Sequence, residues 1–279
     1  MLPIKVGLVD TTGKIDPKAM AATAAALNIQ VTRDLPQYWP MTATVSYLTD
    51  HRSIPPGYWP VQLVAHLPPG EGGFHMTTHN QPYAKVIATP GSDEWTVDAS
   101  HETIEMLVDP NGNRLQNSTA IQIVGNDVQD AAGPGQFEYL VEACDPCEAD
   151  DFTYQINGIS VSDFITPHFY DLHATPGTRY SFTGAITRPR QILKGGYISW
   201  TDPKTLHIQQ ILWVDPNSPP QLNDLGQAPG KSLRLHVENL THEKTRKQNA
   251  ETRAKLAPAR AERRQLYDEM GRIRAEHYV

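Results

Sequence analysis

The stretch DASHETIEMLVDPNG, residues 98–112, decides how the rest of the chain is read. On a helix, residues four apart stand one above the other, so His101 and Glu105 share a face and can grip one cation. Glu102 points about 100° further round the axis, placed to act beside that cation rather than on it. The bland alternative is an amphipathic helix that buries Ile104, Leu107 and Val108 and leaves His101, Glu102 and Glu105 in water. On either reading Pro110 and Gly112 stop the helix.

Outward from this helix the chain alternates strands and helices. KVGLVD (5–10) reads as a buried strand. Residues 16–35 read as a helix with Asp16 as N-cap, Pro17 at the first helical position and an alanine-rich interior. TATVSYLTD (42–50) and PVQLVAHL (60–67) carry strand patterns, and FHMTTHNQPYAKVIAT (74–89) reads as one more, interrupted at Asn80-Gln81-Pro82. Pro82 confines that strand to an edge or a bulge. The helix over HETIE follows, capped by Thr96 or Asp98. FEYLVEACD (137–145) then reads as a short helix, residues 152–213 as short strands and loops, and 215–230 as a polar linker. From about Leu240 the chain reads as a helix with Leu266, Met270 and Ile273 on one stripe. The division expected is 1–150, 151–235 and a tail at 236–279, in an α+β fold.

Composition narrows the function. Apolar content of 39% and charged content of 20% belong to soluble globular proteins. No apolar run approaches the roughly 18 residues of a membrane-spanning helix, so no membrane role is expected. MLPIKVGLVD lacks the apolar core and small-residue cleavage site of a signal peptide, which favours a cytoplasmic or assembly-associated (virion) location. Residues 241–279 hold 10 Lys/Arg against 6 Asp/Glu, leaving 14 against 25 in the rest of the chain. An acidic body with a basic tail does not suggest a general nucleic-acid binder, but the tail suits docking to a protein partner or a second copy. Cys144 and Cys147, as CDPC, read as buried thiols in a turn, a disulfide, or half of a metal site lacking its second pair.

HETIE, with the strand, helix, three strands and helix that end on it, resembles the zincin metallopeptidases over roughly residues 1–150. SHETIEMLVDP and the later CDPCE also resemble a group of bacterial and phage proteins, which implies that the two segments belong to one site. The zincin resemblance implies one divalent ion, zinc, on His101 and Glu105, with Glu102 as general base. It also implies that the strand over 74–89 runs antiparallel to bound substrate, where His75 and His79 could bind it. Glu105 stands where zincins carry a second histidine. The ligand number survives, but the added charge makes the ion a weaker Lewis acid. For the third ligand, Asp109 would sit about 12 Å along the axis from His101 if the helix continued, and is better read as capping the turn. The gluzincin branch takes a glutamate from a later helix. This implies Glu142 with Asp145 orienting His101, or Asp145 itself. Tyr154, Tyr180 and Tyr197 are further tyrosines that could lie near the ion.

The expected function is peptide-bond hydrolysis by metal-activated water. The alternative is a non-catalytic, zincin-shaped structural protein of a phage particle or other large assembly, docking through its C-terminal helix.

Overall fold

The apolar run near the N-terminus becomes a central strand. In a computed structural model, which describes residues 2–67, 72–213, 218–228, 232–237 and 240, β1 (Ile4–Asp10) has Val6, Leu8 and Val9 fully buried. A strand covered on both faces reads as a continuous apolar run rather than an alternating one. After α1 (Pro17–Ile29) come β2 (Ala43–Tyr47), β3 (Tyr58–Val64), β4 (Gly73–Thr78) and β5 (Gln81–Ile87), and then α2 (Glu94–Val108). The five strands form one sheet in the order β2-β1-β3-β5-β4, with β4 alone antiparallel to its neighbour. Asp16 caps α1 through the Lys18 N–H, and Pro17 opens it, as its residue types require.

The segment over 74–89 is a hairpin rather than one strand. His79 and Asn80 take φ values of 51° and 59°, the left-handed pair that a two-residue type I′ connection needs. Pro82 therefore pairs with Thr77 near the start of β5, before β5 joins β3 at Ala84. The hairpin puts β4 at the sheet edge with His75 turned inward and His79 exposed in the turn, so the two do not share a strand face.

α2 starts a turn earlier than Thr96, with Asp93 at its N-cap position. Its burial runs almost round the axis: Glu102 and Glu105 are as enclosed as Ile104, Leu107 and Val108. The amphipathic alternative, with its acids in water, is thereby overturned. Gln30, at the head of a π turn following α1, holds the helix in place. Its amide donates to the Ser162 carbonyl at 3.0 Å and accepts from Ser100 Oγ of α2 at 2.8 Å, so one side chain ties α1, α2 and the later chain together.

Beyond α2 the chain builds β6 (Leu115–Thr119), the hairpin β7 (Ile121–Val124) and β8 (Asp127–Asp130), β9 (Gln136–Leu140), the hairpin β10 (Tyr154–Ile156) and β11 (Ile159–Val161), then β12 (Tyr197–Thr201), β13 (Ile208–Leu212) and β14 (Gln221–Asp224). A second, antiparallel sheet runs β14-β13-β12-β9-β6, drawing strands from both sides of residue 150. One large buried cluster likewise joins Ile104 and Met106 to Phe164, Ile165 and Trp200. Two expectations fail here. The 137–145 segment is β9 followed by a loop, because Tyr139 and Leu140 find a sheet to join. The 215–230 segment contributes β14, whose backbone pairs with β13. Cys144 and Cys147 are free and buried beside a short 3-10 turn, Asp145–Cys147. The stripe of Leu266, Met270 and Ile273 lies outside the described residues.

Gly196, leading into β12, lets that strand pass against the Asp145 turn. A Cβ there would lie 2.6 Å from the Asp145 carbonyl oxygen and 2.7 Å from that of Pro146. Both are backbone atoms that cannot swing aside. Gly196→Ala is therefore expected to cost about 1–3 kcal/mol, read from the urea midpoint at unchanged slope. A midpoint equal to wild type would show that the contact relaxes freely.

Candidate metal centre

α2, β4 and the loop after β9 converge their polar side chains on one buried point. From α2, His101 Nε2 lies 3.2 Å from Glu105 Oε2, the contact expected of residues four apart. From the loop, Asp145 Oδ1 comes within 3.3 Å of the same nitrogen. Glu105 is held by its other oxygen, which accepts the Cys144 N–H at 3.0 Å, so the CDPC segment fixes the helix-borne carboxylate. Glu142 arrives on the extended chain after β9 and not on a helix. The exposed Glu138, one of the three acids of the expected helix, stays on β9 away from the cluster. Asp109 turns its side chain to the Arg114 N–H at 2.6 Å, the turn-capping role its place after the helix suggests.

β4 supplies His75 on the other flank. Its Nε2 lies 3.0 Å from the Asp109 carbonyl, and its Nδ1 lies 3.3 Å from Glu102 Oε2. Sequence reading missed the residue that completes the cluster. Arg234, in the turn of helix at 233–237, inserts its guanidinium among the acids. Nη1 donates to Glu142 Oε2 at 2.7 Å, to His75 Nδ1 at 2.6 Å and to Glu105 Oε2, while Nη2 lies 3.1 Å from Glu102 Oε2. Three acceptors thus crowd a nitrogen that carries two hydrogens. The signal for Arg234 was faint: a single arginine between leucines in SLRLHV, with a long tail of other basic residues after it.

Electrostatics set the protonation. Burial and the Arg234 charge hold His75 well below the ordinary imidazole range, so it is neutral. The hydrogen-bond network then places its proton on Nε2, facing the Asp109 carbonyl, and leaves Nδ1 to accept from Arg234. Burial opposes the charged form of His101, but Glu105 and the bond to Asp145 override it and raise its pKa well above the usual value. Burial would raise Glu105, yet the His101 and Arg234 charges pull it well below the carboxylate range. Glu142 goes the other way. Burial, only partly offset by Arg234, and the neighbouring Glu105 and Asp145 push it well up. Asp145 is pushed up to about 6 by burial and by Glu105. Desolvated carboxylates this close cannot all ionise without added positive charge. Of the three tyrosines, Tyr197 feels the cluster: burial and the Asp145 charge hold its hydroxyl well above its usual range. Tyr154 instead donates to Asp34, and the Tyr180 hydroxyl serves Thr175.

The donor set fits a divalent ion. Ligand atoms around a tetrahedral ion with bonds of about 2.0–2.1 Å stand roughly 3.3 Å apart. His101 Nε2 has this spacing to both Glu105 Oε2 (3.2 Å) and Asp145 Oδ1 (3.3 Å). One ring nitrogen facing two carboxylate oxygens has a single proton to offer them, and Glu105, Glu142 and Asp145 bring carboxylate oxygens within 4.8 Å of one another. Glu142 Oε1 is buried with no hydrogen-bond partner among the described residues, an oxygen a cation would satisfy. His79 stays outside the cluster. No protein-family model, curated protein or solved structure matches this chain.

Proposed function

We propose that this protein is a zincin-like, metal-dependent hydrolase of peptide bonds. The observation that carries the reading is His101 Nε2 standing 3.2 Å from Glu105 Oε2 and 3.3 Å from Asp145 Oδ1, with Glu105, Glu142 and Asp145 presenting carboxylate oxygens within 4.8 Å of one another. Zinc suits one imidazole and several carboxylates, and when bound it supplies the Lewis acidity that activates water. The chain's own groups do the rest. Glu102, one residue past the helix-borne histidine, takes the proton of the attacking water and returns it to the leaving amine. His75, neutral and fixed by its Nε2–H on the Asp109 carbonyl, flanks Glu102 and leaves Nδ1 as an acceptor on that side of the site. Cys144 fixes Glu105 through its backbone N–H, a support that positions the ligand without touching the ion. The resemblance sets extended substrate along the edge strand β4, the strand that supplies His75 to the cluster. Among the described residues no helix is long and apolar enough to cross a membrane.

About one divalent ion per chain is expected to co-purify, or to bind after zinc supplementation, and His101→Ala should release it. Elemental analysis of wild type showing no stoichiometric metal in either preparation would remove the hydrolase reading.

A second reading has one observation in its favour. Arg234 and a protonated His101 bring positive charge to the acids without any ion. On this reading the centre is a self-neutralised network in a non-catalytic structural protein of a phage particle or other assembly, and residues 241–279 dock its partner.

A further inference from the structure

We infer that residues 232–237 are a built-in plug of this site, and that Arg234 must withdraw before substrate can reach Glu102. The inference rests on the hydrolase reading and concerns its regulation. Arg234 engages the two groups that catalysis needs for itself. Its Nη2 holds Glu102 Oε2 at 3.1 Å, and its Nη1 donates to Glu105 Oε2, the oxygen that also faces His101. The guanidinium thus occupies the carboxylate oxygen that would face the attacking water. A divalent ion at His101 and Glu105 would in turn repel the guanidinium and compete for the same oxygen. Ion binding and plug insertion therefore oppose one another.

The way the segment is fastened suits a removable part. Arg234 and Val237 are its only fully buried side chains. Its backbone rests on the loop after α2, with Leu233 N–H donating to Asn113 Oδ1 at 2.9 Å and Arg234 N–H to the Gly112 carbonyl at 3.1 Å. Gly112, at φ 62°, makes the seat. A Cβ there would lie 2.8 Å from Arg234 Cβ and from Ser232 Oγ. Val237 adds a small contact with Leu140 and Ile208, apart from the main core. The ion pairs of one side chain thus hold the segment together with these backbone seats, the His236 contact to the Leu225 carbonyl and the packing of Leu233 and Val237. Exchanging those pairs for an ion and a substrate needs no change in the sheets.

The test uses the full chain as wild type, Arg234→Ala and Arg234→Gln, with zinc affinity measured against a competing chelator. Both variants are expected to bind zinc at the same stoichiometry as wild type but on the order of tenfold or more tightly, the usual scale of coupling between two sites. Millimolar guanidinium ion should weaken zinc binding by Arg234→Ala towards the wild-type value and leave wild type unchanged. Cleavage of a peptide library should appear in the variants and be far weaker in wild type. Equal zinc affinity in wild type and the folded variants overturns the plug while leaving the metal site standing. No zinc bound by any of the three removes both readings. If neither variant folds even in saturating zinc, the guanidinium is a permanent member of the network and the plug is wrong.

Discussion

Glu105→Ala should lower the stability of the metal-free protein by about 3–5 kcal/mol, because removing one partner of a buried charge network leaves the others uncompensated. Three groups lose their acceptor at once. Glu105 Oε2 takes the Arg234 guanidinium and faces His101 at 3.2 Å, and Glu105 Oε1 takes the Cys144 N–H at 3.0 Å. The side chain is wholly buried, so water cannot fill in without opening the site. The cost should show in urea unfolding as a lower midpoint, and Arg234→Ala in the same chain should recover part of it by removing the stranded cation. The variant should also have lost its zinc. A loss below about 1 kcal/mol would mean that His101 and Arg234 are satisfied by others, and that Glu105 is no centre of the network.

The second large effect concerns Glu102. In the Arg234→Ala chain, Glu102→Gln should keep the zinc stoichiometry and lower peptide hydrolysis by about 10²–10⁴-fold, the span usually lost with a general base. The substitution keeps shape and one oxygen and removes only proton acceptance. Measuring it without Arg234 matters, since in wild type the same carboxylate is tied to the guanidinium at 3.1 Å. An unplugged chain that cleaves peptides equally well before and after Glu102→Gln would take the base role away from this residue. If the unplugged chain cleaves nothing while holding its zinc, the structural reading gains and the activity is withdrawn.

Much of this protein was legible from local pattern. Strand and helix periods are properties of the chain itself. KVGLVD therefore announced a covered strand, Asp16-Pro17 a helix start, and HETIE a face shared by His101 and Glu105. Proline and glycine after HETIE marked its end for the same reason. What failed locally failed where partners compete with propensity. FEYLVEACD has a helical stripe, but Tyr139 and Leu140 are buried in β9, which pairs with β6 and β12. Gln221–Asp224 reads as linker until β13 offers its backbone. His79 falls in the two-residue turn that ends β4, a turn that the pattern of one long strand concealed.

The centre itself divides the same way. Spacing within a helix could pair His101 with Glu105, because four residues along one helix have only one relative placement. It could nominate Glu142 and Asp145 but could not choose how they approach, since their geometry depends on the loop after β9 and on the Cys144 N–H. Nor could it supply Arg234, which lies 129 residues from Glu105 along the chain and meets it only across the fold. Buried acids require a counter-charge, and that requirement is physical and general. Which cation answers it, and whether it stays, is decided by packing that brings distant segments together, and that packing has no period to read.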